Sequence, residues 1–127
     1  MALIGLGIDL VEVRRIRDLL IKHGERFKNR TFTEAEIRYS DACADPAIHY
    51  AARFAAKEAG AKALGTGFAE GVNWCDIEVV RAENGAPSLL FHGGAAKLAQ
   101  DKGVQQALIS LTHTADTASA QVILASA

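Results

Sequence analysis

Apolar positions along the first half of the chain recur at helical spacing, with one exception at the start; along the second half they alternate between turn signals. Ala2 to Asp9 (ALIGLGID) is short and mostly apolar, and its two glycines argue against a helix, so it predicts a buried strand ending at Asp9. From Leu10 to His23, the residues Val13, Ile16 and Leu20 share one face and Gly24 follows as a stop, which predicts an amphipathic helix. Thr33 with Glu36 three residues later has the form of a capping box and predicts a short helix after it. Pro46 opens the main helix, which runs to Leu64 and ends at Gly65. Asp76 to Arg81 and Ser88 to Phe91 read as strands joined across Asn84-Gly85, a strong hairpin signal. Ala95 to Lys102 reads as a helix stopped by Gly103. Gln106 to Thr112 and Ala118 to Leu124 read as two further strands around a polar loop. The sum is one α+β domain in the order strand, helices, hairpin, helix, hairpin, with no repeat, low-complexity tract or linker.

Length and composition agree with that reading. A chain of 127 residues is one domain, and an apolar share of 50% suffices for a single core. The net charge of −1 gives no global argument for nucleic acid or a membrane surface. Charge is uneven, however. Arg14, Arg15, Arg17, Lys22, Arg26, Lys28 and Arg30 face two acids, Asp18 and Glu25, in the same stretch, so that segment is +5 and the remainder −6. A basic patch on an otherwise acidic protein points to an acidic partner or to phosphates. Cys43 and Cys75 lack metal-type spacing and read as packed thiols of a reduced protein. The N-terminus has no cationic leader, and no stretch reaches the roughly 20 apolar residues of a membrane span. The expectation is a cytoplasmic protein.

Phe54, Glu58 and Lys62 are four residues apart and line one stripe of the main helix. A carboxylate one turn from an ammonium suits a metal-chelated phosphate ester, although an ordinary i,i+4 pair on a solvated face has the same spacing. Asp9, at the end of an apolar strand just before a helix, either caps that helix or binds a cation. Asp9 and Glu58 lie on different elements and could converge. Mg²⁺ suits such a pair, since it takes one or two protein carboxylates and fills its shell with water and phosphate oxygens. Gly5-Leu-Gly7 is not a dinucleotide fingerprint, because the third glycine position is Leu10. Those glycines let the strand pack closely against a neighbour.

Gly7-Ile-Asp9, Val11-Glu-Val-Arg-Arg-Ile16, Phe54-Ala-Ala-Lys-Glu-Ala-Gly-Ala-Lys62 and Gly65-Thr-Gly67 together resemble the holo-acyl-carrier-protein synthases. These are the short, single-domain class of the 4′-phosphopantetheinyl transferase superfamily. Phe32-Thr33 with Glu36, the Asn84-Gly-Ala-Pro87 turn and Ser110-Leu-Thr-His-Thr114 stand in the same order, so the resemblance covers essentially the whole chain. It implies a small antiparallel sheet with a long central helix. It also implies transfer of phosphopantetheine from coenzyme A to a serine of apo acyl carrier protein, with release of adenosine 3′,5′-bisphosphate, in fatty acid biosynthesis. Under the resemblance Asp9 and Glu58 bind Mg²⁺, Lys62 neutralises a phosphate oxygen, and Glu36 or Glu58 (through a water) is the base. Gly65 and Gly67 let backbone approach the cofactor, and His113 and Thr114 contact the nucleotide end of coenzyme A. Arg14 and Arg17 dock the acidic carrier. One module per chain implies a cleft shared between copies, and the short members resemble homotrimers. His23, His49 and His92 receive no role. A metal-dependent phosphohydrolase and a non-catalytic module for an acidic partner are the competing readings.

Overall fold

The computed structural model describes residues Met1–Ala127. Two antiparallel layers of strand are gathered around one helix. A three-stranded sheet has the spatial order β1 (Leu3–Glu12), β5 (Thr117–Ala125), β4 (Gln106–His113), and a hairpin pairs β2 (Ile77–Arg81) with β3 (Pro87–Phe91). Helices α1 (Val13–His23), α2 (Glu25–Thr31) and α3 (Glu34–Asp41) lead to the central α4 (Pro46–Leu64), and α5 (Gly93–Asp101) links β3 to β4. This is the expected α+β architecture with a long central helix.

Helix α4 is buried nearly all round, because alanines at most core-facing positions let strands and helices approach its backbone on several sides. The closest approach is to β1. A Cβ built on Gly7 falls 1.8 Å from the Ala59 carbonyl oxygen, and one on Gly5 falls 1.9 Å from that of Ala63. Neither position tolerates any side chain, so the two glycines are a seam where strand and helix touch backbone to backbone. The expected close neighbour is therefore α4.

Strand β1 runs three residues beyond its expected end at Asp9. Leu10, Val11 and Glu12 stay paired with Ser119, Ala118 and Thr117 of β5, so sheet pairing overrides the helical spacing of the following stretch. Helix α1 accordingly starts at Val13, whose N–H donates to the Asp116 carbonyl (2.8 Å). Helix α2 was not anticipated. Gly24, at φ 51°, ends α1 by donating to the Leu20 carbonyl and also precedes the next helix. The capping box forms as expected, with Thr33 accepting from the Glu36 N–H and Glu36 accepting from the Thr33 N–H.

The inner face of the three-stranded sheet packs on α4. Its outer face is apolar too: Leu6, Ile8 and Leu10 of β1 are 59–70% exposed, and Leu6, Ile123 and Leu108 form one row across the three strands.

Candidate functional site

Side chains two apart on a strand share a face, so Asp9 projects on the side of Gly5 and Gly7 and is delivered against α4. Lys62 meets it there. Its Nζ donates to Asp9 Oδ1 at 3.1 Å and to the Ile8 carbonyl at 2.9 Å. Glu58 lies one turn earlier on α4. Burial raises its pKa from the ordinary carboxyl value, the Asp9 charge raises it further, and Lys62 and Arg15 pull it down. The two carboxylates, 49 positions apart in the chain, and the ammonium thus act on one another electrostatically. Asp9 is also fixed from behind, since Ser119 Oγ of β5 donates to its carbonyl (2.9 Å).

Two carboxylates held in mutual repulsion, one of them partly desolvated, gain from a shared cation. No three His, Cys, Asp or Glu side chains converge on a metal-sized site, which argues against an all-protein cage. Two oxygen-donor side chains with an open side fit Mg²⁺, which keeps several waters and completes its shell with phosphate oxygens. Lys62 spends two of its three N–H donors on Asp9 and Ile8 and retains one for a ligand.

Beyond the helix, Gly65 adopts φ 88° and its N–H donates to the Lys62 carbonyl, while Gly67 at φ 59° donates to that of Ala61 (3.2 Å). The turn they form brings Phe68 onto Trp74 (3.8 Å between centroids), and Trp74 stacks on Phe54 (4.8 Å). The Arg15 guanidinium lies 5.3 Å from the Phe54 ring centre, so the stripe on α4 ends in an aromatic stack capped by a cation.

Glu36 requires a correction. Its side chain is fully buried, 2.7 Å from the equally buried Lys57 Nζ, and it accepts from the N–H groups of Thr33 (2.8 Å) and Val79 (2.9 Å). Lys57 also donates to the carbonyls of Trp74 and Ile77. A carboxylate so enclosed cannot reach a substrate hydroxyl. Glu36 ties α3 and α4 to β2, and the capping reading is what the structure realises.

His113 ends β4, two residues past Leu111, which lies level with Asp9 across β5. It is exposed, with its ring edge-on to His49 (5.9 Å). Thr114 Oγ1 accepts from the N–H groups of Asp116 and Thr117 and closes the β4–β5 turn. Neither joins the Asp9–Glu58–Lys62 group within one subunit. On α1, Arg17 makes a two-pronged pair with Asp45 (3.0 and 3.1 Å), whereas Arg14 has no ion-pair partner and lines two shallow clefts with Glu12.

The family model of the 4′-phosphopantetheinyl transferase superfamily matches residues 5–122. The chain belongs to that superfamily. Among relatives, it is 49% identical over 122 residues to the holo-[acyl-carrier-protein] synthase of Koribacter versatilis, covering 96% of this chain and 98% of that one. The synthase of Neisseria meningitidis superposes with a TM-score of 0.89 at 32% identity, over 97% of this chain and 98% of that one. The synthase of Bacillus anthracis, in complex with CoA (3′,5′-ADP), superposes with a TM-score of 0.82 at 32% identity over the full length of both. As a transferase of this superfamily the chain carries the synthase fold from end to end. Sequence reasoning missed one group near His113, formed by Tyr39, His49, Arg53 and Arg81; its members are scattered through the chain and share no spacing.

Proposed function

We propose that this protein is a holo-[acyl-carrier-protein] synthase, moving 4′-phosphopantetheine from coenzyme A to a serine hydroxyl of apo acyl carrier protein. The serine oxygen forms a bond to the phosphorus on the pantetheine side of the pyrophosphate. The bridging P–O bond breaks, and adenosine 3′,5′-bisphosphate leaves. The observation that carries the reading is the meeting of Asp9, Glu58 and Lys62 at the glycine seam, in a chain of this superfamily.

Asp9 and Glu58 would hold Mg²⁺, which when bound supplies charge neutralisation on the pyrophosphate. Lys62 offers its remaining N–H to a phosphate oxygen and stabilises charge there as the bridging bond breaks. Glu58 takes the serine proton through an ordered water, a role the enclosed Glu36 cannot fill. Gly65 and Gly67 present backbone to the pantetheine, with no side chain between. Arg14, with Arg17 beside it, attracts the acidic carrier to α1 and fixes its approach.

A single module leaves the outer sheet face of Leu6, Ile8 and Leu10 uncovered, and apolar surface of that kind is ordinarily buried by a partner. A homotrimer with interfacial sites covers it, and light scattering at micromolar concentration tests that assembly. The free thiols of Cys43 and Cys75 suit a reducing cytoplasm. The decisive experiment is incubation with apo carrier, coenzyme A and Mg²⁺, read by intact mass. The carrier gains one phosphopantetheine, and Glu58→Ala abolishes the gain; a carrier of unchanged mass overturns the reading.

A further inference from the structure

Lys57 is fully buried on α4, next to Glu58 in the chain and turned to a different face of the helix. Its ammonium has three N–H donors, and all three are spent: on Glu36 Oε1 at 2.7 Å, the Ile77 carbonyl at 2.6 Å and the Trp74 carbonyl at 3.1 Å. Stability alone does not account for this charge, since apolar side chains of the same volume often hold a core as well as a buried ion pair or better. What an ammonium reaches and a methyl group does not is the backbone of Trp74, which Lys57 ties to α4.

The indole of Trp74 stacks on Phe54, one turn before Glu58 (4.8 Å between centroids), and on Phe68, the residue after Gly67 (3.8 Å). Between Gly65 and Trp74 the chain forms an arch with positive φ at Gly65, Gly67, Glu70 and Gly71, and Glu70, at 56°, is the one non-glycine residue of the chain in that region. Such a conformation persists only where the surroundings fix it. Bonds inside the arch are few: the Val72 N–H donates to the Ala69 carbonyl (3.2 Å) and Thr66 Oγ1 to that of Gly67 (2.9 Å). The arch is therefore held from outside. At Gly71 it meets α5 backbone to backbone, since a Cβ on Gly94 would fall 2.1 Å from the Gly71 carbonyl oxygen. At its far end stands Trp74, tethered by Lys57 and stacked on Phe68.

We propose that Lys57 is a positioning residue for coenzyme A: by holding the Trp74 backbone it sets the indole against Phe68 and keeps the Gly65–Gly67 turn in the conformation that receives the donor. This rests on the transferase reading and deepens it. Lys57 is enclosed and touches neither donor nor carrier, so its effect reaches the reaction through the arch alone. A loosened arch spends part of its time in conformations that do not bind, which raises the apparent dissociation constant by the inverse of the competent fraction. Once donor saturates the site the arch is in place, and the chemical step at Asp9, Glu58 and Lys62 proceeds at the parent rate.

Lys57→Met alone strands the Glu36 carboxylate in the core and endangers folding. The test therefore compares Glu36→Gln with the double variant Glu36→Gln/Lys57→Met, each as full-length protein and below its melting point. The single variant keeps the Lys57 bonds to Trp74 and Ile77, and the double variant removes them. Initial rates of carrier modification, with coenzyme A and carrier varied in turn at saturating Mg²⁺, separate the constants. Hydrogen bonds from a charged donor shift an equilibrium by at least about tenfold. The double variant is thus expected to raise the Michaelis constant for coenzyme A about tenfold over the single variant, with turnover number and carrier constant unchanged. Calorimetric titration with coenzyme A and Mg²⁺ shows the same loss. Hydrogen exchange of the 65–73 segment is faster in the free double variant, and the difference closes at saturating coenzyme A. Equal coenzyme A constants in the two variants, a loss that falls on turnover or on the carrier constant instead, or unaltered exchange of the segment overturns the proposal. If parent and variants all modify the carrier with the same constants, the positioning role fails and the transferase reading stands; if the parent leaves the carrier unmodified, both fail.

Discussion

Gly7→Ala adds one carbon at the tightest point of the molecule. The new Cβ would lie 1.8 Å from the Ala59 carbonyl oxygen and 2.9 Å from the Ala63 nitrogen. Carbon and carbonyl oxygen pack no closer than about 3.3 Å, so β1 must retreat from α4 by about 1.5 Å. Both obstructing atoms are backbone of a helix buried on almost every side, and neither can swing aside. The upper end of the overpacking range, about 3 kcal/mol, applies, and for a chain of this length it lowers the thermal midpoint by about 10 °C. The same retreat carries Asp9, two residues along the strand, away from Glu58 and Lys62. A displacement of about 1 Å at a reacting centre can cost a hundredfold in rate. The assay is thermal unfolding by circular dichroism together with phosphopantetheine transfer measured well below the new midpoint. Gly103→Ala is the control: Gly103 has φ 79° and open space around it, so it loses about 1 kcal/mol to left-handed backbone strain and leaves transfer untouched. A Gly7→Ala protein with unchanged midpoint and rate would refute the argument that the seam positions the site.

Glu36→Gln leaves the buried Lys57 charge unpaired and is expected to destabilise by about 3 kcal/mol, with transfer per folded molecule unchanged. Adding Lys57→Met recovers most of the stability in chemical denaturation, whereas a Glu36 acting as the base would show a rate loss that the second change does not repair. Glu58 has a raised folded-state pKa, so it binds protons more readily folded than unfolded, and its contribution to stability is lost as pH rises through the folded value. Glu58→Gln therefore melts higher than the parent at neutral pH and equally at about pH 4, while transfer is abolished; a lower melting point at neutral pH contradicts the repulsion with Asp9. Arg14→Glu raises the Michaelis constant for the carrier and not for coenzyme A, and added salt acts in the same direction on the parent. A carrier constant insensitive to both removes α1 from the docking surface.

Much of the fold was legible because punctuation and periodicity agreed. Pro46 and Gly65 bracketed α4, and Gly65 ends it in the left-handed conformation that a helix stop demands. Asn84-Gly85 joined β2 to β3, with Gly85 at φ 84°. Where they disagreed, long-range pairing decided. Leu10 to Glu12 read as the start of a helix and became strand, because β5 supplies partners up to Thr117. The seven-residue α2 was too short and too charged for its period to register. At the site, Asp9, Glu58 and Lys62 were legible because strand and helix patterns placed each one. The role of Glu36 was not, since its capping signal is local and the buried Lys57 that fixes its fate is 21 residues away. Nor was the Arg53 group: its members span positions 39 to 113, and only folding assembles them.

The chain holds a single tryptophan, and its indole is sandwiched between Phe54, one turn before Glu58, and Phe68, just past the two glycines that end α4. Fluorescence from this protein therefore issues from one known spot beside the proposed chemistry. Any ligand that shifts the 65–73 segment alters how that ring is shielded from water, and the emission maximum moves with it. An unlabelled sample in a cuvette can thus time donor arrival and product departure within one turnover.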